Sequence, residues 1–235
     1  MIDVSPMHLS AHRKSSLHIL PLHAWLNKHH ITVIISDTVY PVSSLFPEEQ
    51  KQITGVCKKR ATEFTAGRNC ARQALRIAGG GSPAIPSDSK RRPIWPPGFT
   101  GSISHTDSLY CAAVAPQTTI PALGTDIEFL QKNISIRTLQ RFCTQEEWQW
   151  VTQSNEPLVP ALTIFSIKES IYKALQQYTN VFIGFHDISL IHKKNTSLNT
   201  VYFIKHLPIA NDRIECRHVI DNDYIFSCCV ITADT

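Results

Sequence analysis

The chain has 235 residues, 43% of them hydrophobic and only 18% charged, which excludes a disordered, solvating chain and allows one large domain or two small lobes. Its net charge of +4 is too mild to call for a nucleic-acid partner. No apolar run reaches the roughly 18 residues of a membrane span and the N-terminus lacks a secretory pattern, so a cytoplasmic protein with no membrane partner is expected.

Strand and helix patterns alternate irregularly along the chain, which predicts an α+β fold rather than a regular parallel wind. Six of the eleven histidines fall in the first thirty residues without a metal-ligand spacing, so His8 to His30 reads as part of a loose N-terminal extension. Residues 32–36 form a β-branched strand, and Pro47 with Glu48 and Glu49 opens a helix. A second helix covers 61–78, with Phe64, Ala71, Leu75 and Ala78 on one side and Gly79-Gly80-Gly81 as its stop. Arg68, Arg72 and Arg76 form a row at i, i+4 spacing beside that stripe. The Gly- and Pro-rich stretch 79–101 reads as loop. Three strands follow at 102–105, 109–115 and 123–129, the second apolar enough for a sheet centre. Thr144 and Glu147 make a capping box. The clearest helix is 162–178, with Ile164, Ile167, Ile171, Ala174 and Tyr178 on one stripe. Two or three strands close the chain, the last at 224–232.

Charge divides along this order: residues 1–120 hold 13 basic and 7 acidic side chains, residues 121–235 hold 10 and 12. A boundary between lobes near residue 120 matches the split. Within 51–92, ten Lys and Arg face only Glu63 and Asp88, which suits an anionic ligand or an acidic partner, or else a solvated helix face. Seven cysteines with no C-x-x-C pair support neither a disulfide framework nor a zinc knuckle and read as small, reduced core residues.

Three segments carry chemistry. In Gly124-Thr125-Asp126-Ile127-Glu128 both acids point to one face of a strand, about 6–7 Å apart along the backbone, and can converge on a hard cation such as Mg²⁺; the plain alternative is a solvent-facing edge. In Phe165-Ser166-Ile167-Lys168-Glu169-Ser170-Ile171-Tyr172-Lys173-Ala174, Glu169 and Lys173 lie one helical turn apart, opposite the isoleucine stripe, as metal or substrate groups or as a surface ion pair. Gly101-Ser102-Ile103-Ser104-His105-Thr106 ends a strand with hydroxyls and a histidine able to meet phosphate oxygens, without the elbow of a serine hydrolase.

The order and spacing of these three segments resemble the phosphopantetheinyl transferase family. Upstream, Lys59-Arg60-x-x-Glu63-Phe64-x-x-Gly67-Arg68-x-x-Ala71-Arg72-x-Ala74-Leu75 and Pro93-x-Trp95-Pro96 resemble its siderophore-synthetase branch. The resemblance implies transfer of the 4'-phosphopantetheine arm of coenzyme A to a serine of an acyl or peptidyl carrier protein, with release of adenosine 3',5'-bisphosphate. It implies a monomer of two similar lobes, 1–120 and 121–235, related by a pseudo-twofold axis with the active site in the cleft between them. Asp126, Glu128 and Glu169 would hold Mg²⁺. Ser104, His105 and Lys173 would meet the phosphates, and Glu169 would take the serine proton, directly or through a water on the metal. Arg60, Arg68, Arg72 and Arg92 become candidates for the adenosine-phosphate side, or in part for the acidic carrier.

Two positions depart from the family pattern. Thr125 stands at a usually apolar or small site, with its side chain expected on the face away from the metal, and Arg91-Arg92-Pro93 stands where many relatives have a glycine and a different basic residue. The competing functions are a non-catalytic module binding a nucleotide or an acidic protein, and a Mg²⁺-dependent hydrolase of nucleotide pyrophosphates.

Overall fold

The computed structural model describes residues 19–131, 133–179, 181–192, 200–204, 209–221 and 223–233. Its first half comprises α1 (His23–Lys28), β1 (Thr32–Ser36), α2 (Pro47–Gln50), α3 (Lys58–Ile77), β2 (Phe99–Thr106) and β3 (Leu109–Pro116). The second comprises β4 (Ala122–Phe129), α4 (Ile136–Gln140), α5 (Gln145–Thr152), α6 (Leu158–Tyr178), β5 (Ile188–His192), β6 (Thr200–Ile204), β7 (Ile214–Asp221) and β8 (Tyr224–Ile231).

Two three-stranded antiparallel sheets run in the orders β1-β3-β2 and β4-β8-β7. In each, a strand leads to a helix of 20 or 21 residues, and a hairpin then returns with its second strand in the middle of the sheet. The two halves repeat one topology without repeating a sequence. The β5-β6 ribbon is the addition peculiar to the second half.

Side-chain parity on the central strands explains how the halves stack. On β3, Leu109, Cys111, Ala113 and Ala115 join Leu123, Ile127, Phe226, Cys228 and Val230 in a core shared by the two sheets. The alternate residues Tyr110, Ala112 and Val114 pack under Ala66, Cys70, Ala71, Ala74 and Leu75 of α3. On β8, Ile225, Cys229 and Ile231 pack under Ile164, Ile167, Ile171 and Ala174 of α6. The result is four layers, helix, sheet, sheet and helix, and it makes β3 and β8 apolar on both faces.

Buried polar groups tie the layers. The capping box of α5 forms, with Thr144 Oγ1 accepting from Glu147 N and Glu147 Oε2 accepting from Thr144 N at 2.6 Å. The same carboxylate receives Lys168 Nζ at 2.7 Å, and the ammonium also donates to the Phe142 and Phe185 carbonyls. Lys168 is 0% exposed, so this pair is tolerated only because both charges are fully bonded. It clamps α6 to α5 immediately before Glu169.

Three expectations are corrected. Among the described residues the closing region has four strands rather than two or three, because β5 and β6 pair with each other outside the main sheets. The N-terminal stretch is not loose from residue 19 onward: Leu22, Leu26 and Ile31 enter the shared core, and Glu215 on β7 accepts from Trp25 Nε1 at 3.0 Å and meets His29 Nε2 at 3.2 Å. His8, His12 and His18 lie outside the described residues. Finally, β4 is no solvent-facing edge, since β2 and α6 cover it and every residue from Ala122 to Glu128 is buried. The seven cysteines are free thiols and all but Cys57 are buried, where desolvation pushes Cys70 and Cys111 up to about 12.

Candidate active site

The parity of β4 decides what its acids face. Thr125 and Ile127 turn toward the shared core, and Thr125 Oγ1 donates to the Ser227 carbonyl, so the unusual threonine is accommodated away from the acids. Gly124, Asp126 and Glu128 take the opposite parity, under α6. At Gly124 the helix lies so close that a Cβ would overlap the Ser170 carbonyl and come 2.7 Å from the Ala174 amide nitrogen. Only glycine permits that approach, and it brings the next turn of α6 onto Asp126.

There Asp126 Oδ1 accepts from Lys173 Nζ and from Ser104 Oγ of β2, both at 2.8 Å. Lys173 also donates to Ser104 Oγ at 3.0 Å and to the Thr125 carbonyl at 3.1 Å. Burial works against the lysine's charge, but Asp126 and then Glu169 outweigh it and hold its pKa above the ordinary lysine value. Three of the predicted residues, from both halves of the chain, therefore form one cluster. Lys173 is no simple surface ion pair: its ammonium turns onto Asp126 and Ser104, leaving the side chain 25% exposed.

Asp126 is 4% exposed, and its second oxygen, Oδ2, is buried with no hydrogen-bond partner among the described residues. An unpartnered buried carboxylate oxygen is costly and fits a cation. Glu128 is also buried and Glu169 half-buried. Among the described residues no three His, Cys, Asp or Glu side chains form a ready-made metal cage, so the expected triad is not preassembled. Mg²⁺ does not require one, because it takes one or two carboxylates together with substrate phosphates and waters.

Beside this cluster opens a cleft of about 470 Å³, lined among others by Arg60, Glu63, Arg68, Asp88, Arg91 and His105. His105 follows Ser104 on β2 and stands at the junction, with Nε2 3.5 Å from Glu63 Oε2. Burial lowers its pKa; Glu63 opposes the shift, Arg60 and Lys173 reinforce it, and Asp126 opposes it. Glu63 also pairs with Arg60 at 3.7 Å. Arg68 lies over the Phe64 ring and donates to the Ile85 carbonyl at 2.6 Å and to Ser87 Oγ at 2.8 Å, with burial lowering its pKa to about 10.

Two predicted arginines do not face this cleft. Arg72 points into the protein, where its NH1 donates to both oxygens of Glu49 at 2.8 and 2.9 Å and its NH2 to the Ser44 carbonyl. Glu49 is fully buried and also accepts from the Ile85 amide, so Arg72 braces the loop that forms the cleft wall. Arg92 bonds Asp88 at 2.7 Å and donates to the Gln176 carbonyl of α6, joining the two halves. Arg91, Glu63 and Asp88 are the cleft groups to which the sequence reading assigned no role. The motif around Glu63 could have pointed to it; nothing local marked Arg91.

The match to known families decides the assignment. Residues 48–115 match the 4'-phosphopantetheinyl transferase N-terminal domain and residues 122–229 the 4'-phosphopantetheinyl transferase superfamily model. The chain belongs to the 4'-phosphopantetheinyl transferase superfamily. Among similar proteins, enterobactin synthase component D of Salmonella austin is 32% identical, over 76% of this chain and 72% of that protein. The 4'-phosphopantetheinyl transferase Svp of Streptomyces mobaraensis is 30% identical, over 74% and 71%, which together with component D bears out the family and its siderophore branch. The chain spans 63% of the length of the 4'-phosphopantetheinyl transferase Npt of Nocardia iowensis, at 31% identity. Holo-[acyl-carrier-protein] synthase of Neisseria meningitidis aligns with 49% of this chain and 99% of its own, with a TM-score of 0.40 and 21% identity. No described helix is long and apolar enough to cross a membrane.

Proposed function

We propose that this phosphopantetheinyl transferase moves the 4'-phosphopantetheine arm of coenzyme A onto a serine of an acyl or peptidyl carrier protein of the siderophore-synthetase type, releasing adenosine 3',5'-bisphosphate. The observation that carries the reading is the Ser104–Asp126–Lys173 cluster, with Asp126 Oδ2 buried and unpartnered among the described residues, next to His105 of a cleft lined by arginines.

Asp126 through Oδ2, with Glu128 and Glu169, would hold Mg²⁺, which supplies charge neutralisation on pyrophosphate oxygens. Lys173, kept protonated beside Asp126, adds a compact positive charge where negative charge leaves with the adenosine phosphate. Ser104 and His105 orient the phosphates, while Arg60 and Arg68 face the adenosine end of the substrate. The carrier serine oxygen bonds to the phosphorus of the pantetheine phosphate as the pyrophosphate P–O bond breaks. Glu169 takes the serine proton. In this reading residues 1–120 supply the coenzyme A side, residues 121–235 supply the metal acids, and the enzyme works as a cytoplasmic monomer.

Intact-mass measurement of an apo carrier incubated with the protein, coenzyme A and Mg²⁺ tests it. The expected result is a gain of one phosphopantetheine arm, abolished by chelator and slowed about a hundredfold or more by Asp126→Ala. No gain with any of several carriers would sink the transferase reading; adenosine bisphosphate released without carrier modification would put a hydrolase in its place.

A further inference from the structure

Asp126 uses its two carboxylate oxygens differently. Oδ1 accepts from Lys173 Nζ and from Ser104 Oγ, both at 2.8 Å, and these donors take up both lone pairs of that oxygen. Oδ2 is buried and has no hydrogen-bond partner among the described residues. The donors also hold each other, since Lys173 Nζ lies 3.0 Å from Ser104 Oγ and 3.1 Å from the Thr125 carbonyl. Asp126 is 4% exposed, so its oxygens cannot change places without breaking both bonds where water does not replace them. Such a break is costly, and the asymmetry is therefore fixed by the packing of β2, β4 and α6.

This division matters to a cation. Ca²⁺ carries a large, flexible shell of oxygen ligands and accepts a carboxylate through both oxygens, whereas Mg²⁺ demands a near-ideal octahedron and keeps several waters. A carboxylate with one oxygen free serves Mg²⁺ and denies Ca²⁺ its two-oxygen grip. Discrimination between two hard dications comes from withholding a ligand from the wrong ion as much as from serving the right one.

Resting on the metal reading above, we infer that Lys173 and Ser104 are specificity-determining residues for the metal, which occupy Oδ1, restrict Asp126 to a one-oxygen contact and so select Mg²⁺ over Ca²⁺. The lysine's charge does not select by itself, because a positive neighbour repels both dications alike. The hydrogen bonds to Oδ1 do, and they are in place before any substrate arrives.

The test displaces Mn²⁺ from the full chain with Mg²⁺ or with Ca²⁺, first alone and then with coenzyme A, and follows bound Mn²⁺ by its enhancement of water-proton relaxation. The parent is compared with Ser104→Ala, Lys173→Met and the double variant, each with its melting temperature. Because the lost charge moves both ions together, the ratio of their dissociation constants reads the carboxylate contact alone. The parent should hold Mg²⁺ at least as tightly as Ca²⁺, and freeing Oδ1 in the double variant should move the ratio about tenfold or more toward Ca²⁺. A parent that prefers Ca²⁺, or a double variant within about twofold of the parental ratio, overturns the selection. If the double variant melts below the assay temperature, Ser104→Ala decides: a shift of about threefold or more toward Ca²⁺ supports the selection and an unmoved ratio overturns it. Mn²⁺ that binds the parent neither alone nor with coenzyme A, or binds Asp126→Asn equally well, overturns the metal reading itself.

Discussion

Arg72 shows how little an arginine's spacing says about its partner. It lies one turn from Arg68 in a basic row, yet it ends in a bidentate pair with a fully buried glutamate contributed by α2, whose second task is to hold the Ile85 amide. Removing one member of such a pair strands the other charge, at about 3–5 kcal/mol. Arg72→Met should therefore lower stability in urea melts by that order while the KM for coenzyme A, measured on the folded fraction, changes little. A variant of unchanged stability with a raised KM would return Arg72 to the substrate. Ser104, Asp126, Lys173 and His105 were legible from their motifs because each motif joins a chemically specific residue to a strand or helix that dictates its direction. Arg91 of the cleft wall was not, because a positive φ on arginine has no local signature.

Helix α6 gathers the site because it is committed on more than one face. Its isoleucines bury against β8 and the second-half core, Lys168 is clamped by Glu147, Lys173 reaches β4 and β2, and Gln177 meets Thr100 and the Leu123 carbonyl. The close approach at Gly124 sets the depth at which all these contacts occur. Gly124→Ala forces a methyl group into the Ser170 carbonyl. Displacing the helix should cost about 1–3 kcal/mol or more and lower kcat for carrier modification by separating Lys173 from Asp126. Circular dichroism melts beside transfer rates check this, and a variant with parental stability and rate would contradict the packing described here. The 3.6-residue period marked the isoleucine stripe, but a period cannot show that Lys173 on the polar side reaches Asp126 and Ser104.

At the scale of the molecule, one buried and two half-buried imidazoles make stability depend on pH. His29, His105 and His218 all have folded pKa values below the ordinary 6.5, burial being the largest cause in each. Between each lowered value and 6.5 the unfolded chain binds more protons than the folded one, so stability is complete above about pH 6.5 and is lost as pH falls through that window. The melting temperature should drop between pH 7 and pH 5.5, and His218→Gln should flatten the drop. A melting temperature that holds steady or rises toward pH 5.5 would count against histidines kept neutral by the fold. The same scale holds the repeated topology of the two halves, which no sequence period betrayed, since sheet order depends on pairing partners rather than on residue identity.

The sequence by itself determined the α+β class, the strands and the long helices before residue 180, and the family, because periodicity, caps and short motifs are local and survive in one dimension; the short helices α1 and α4 were not legible. The tertiary structure alone decided the four-layer stack, the meeting of Ser104 with Asp126 and Lys173, and the division of the arginines into braces and cleft groups. Those outcomes depend on which distant carboxylate or carbonyl reaches each side chain first. That competition is settled only when the sheets pack.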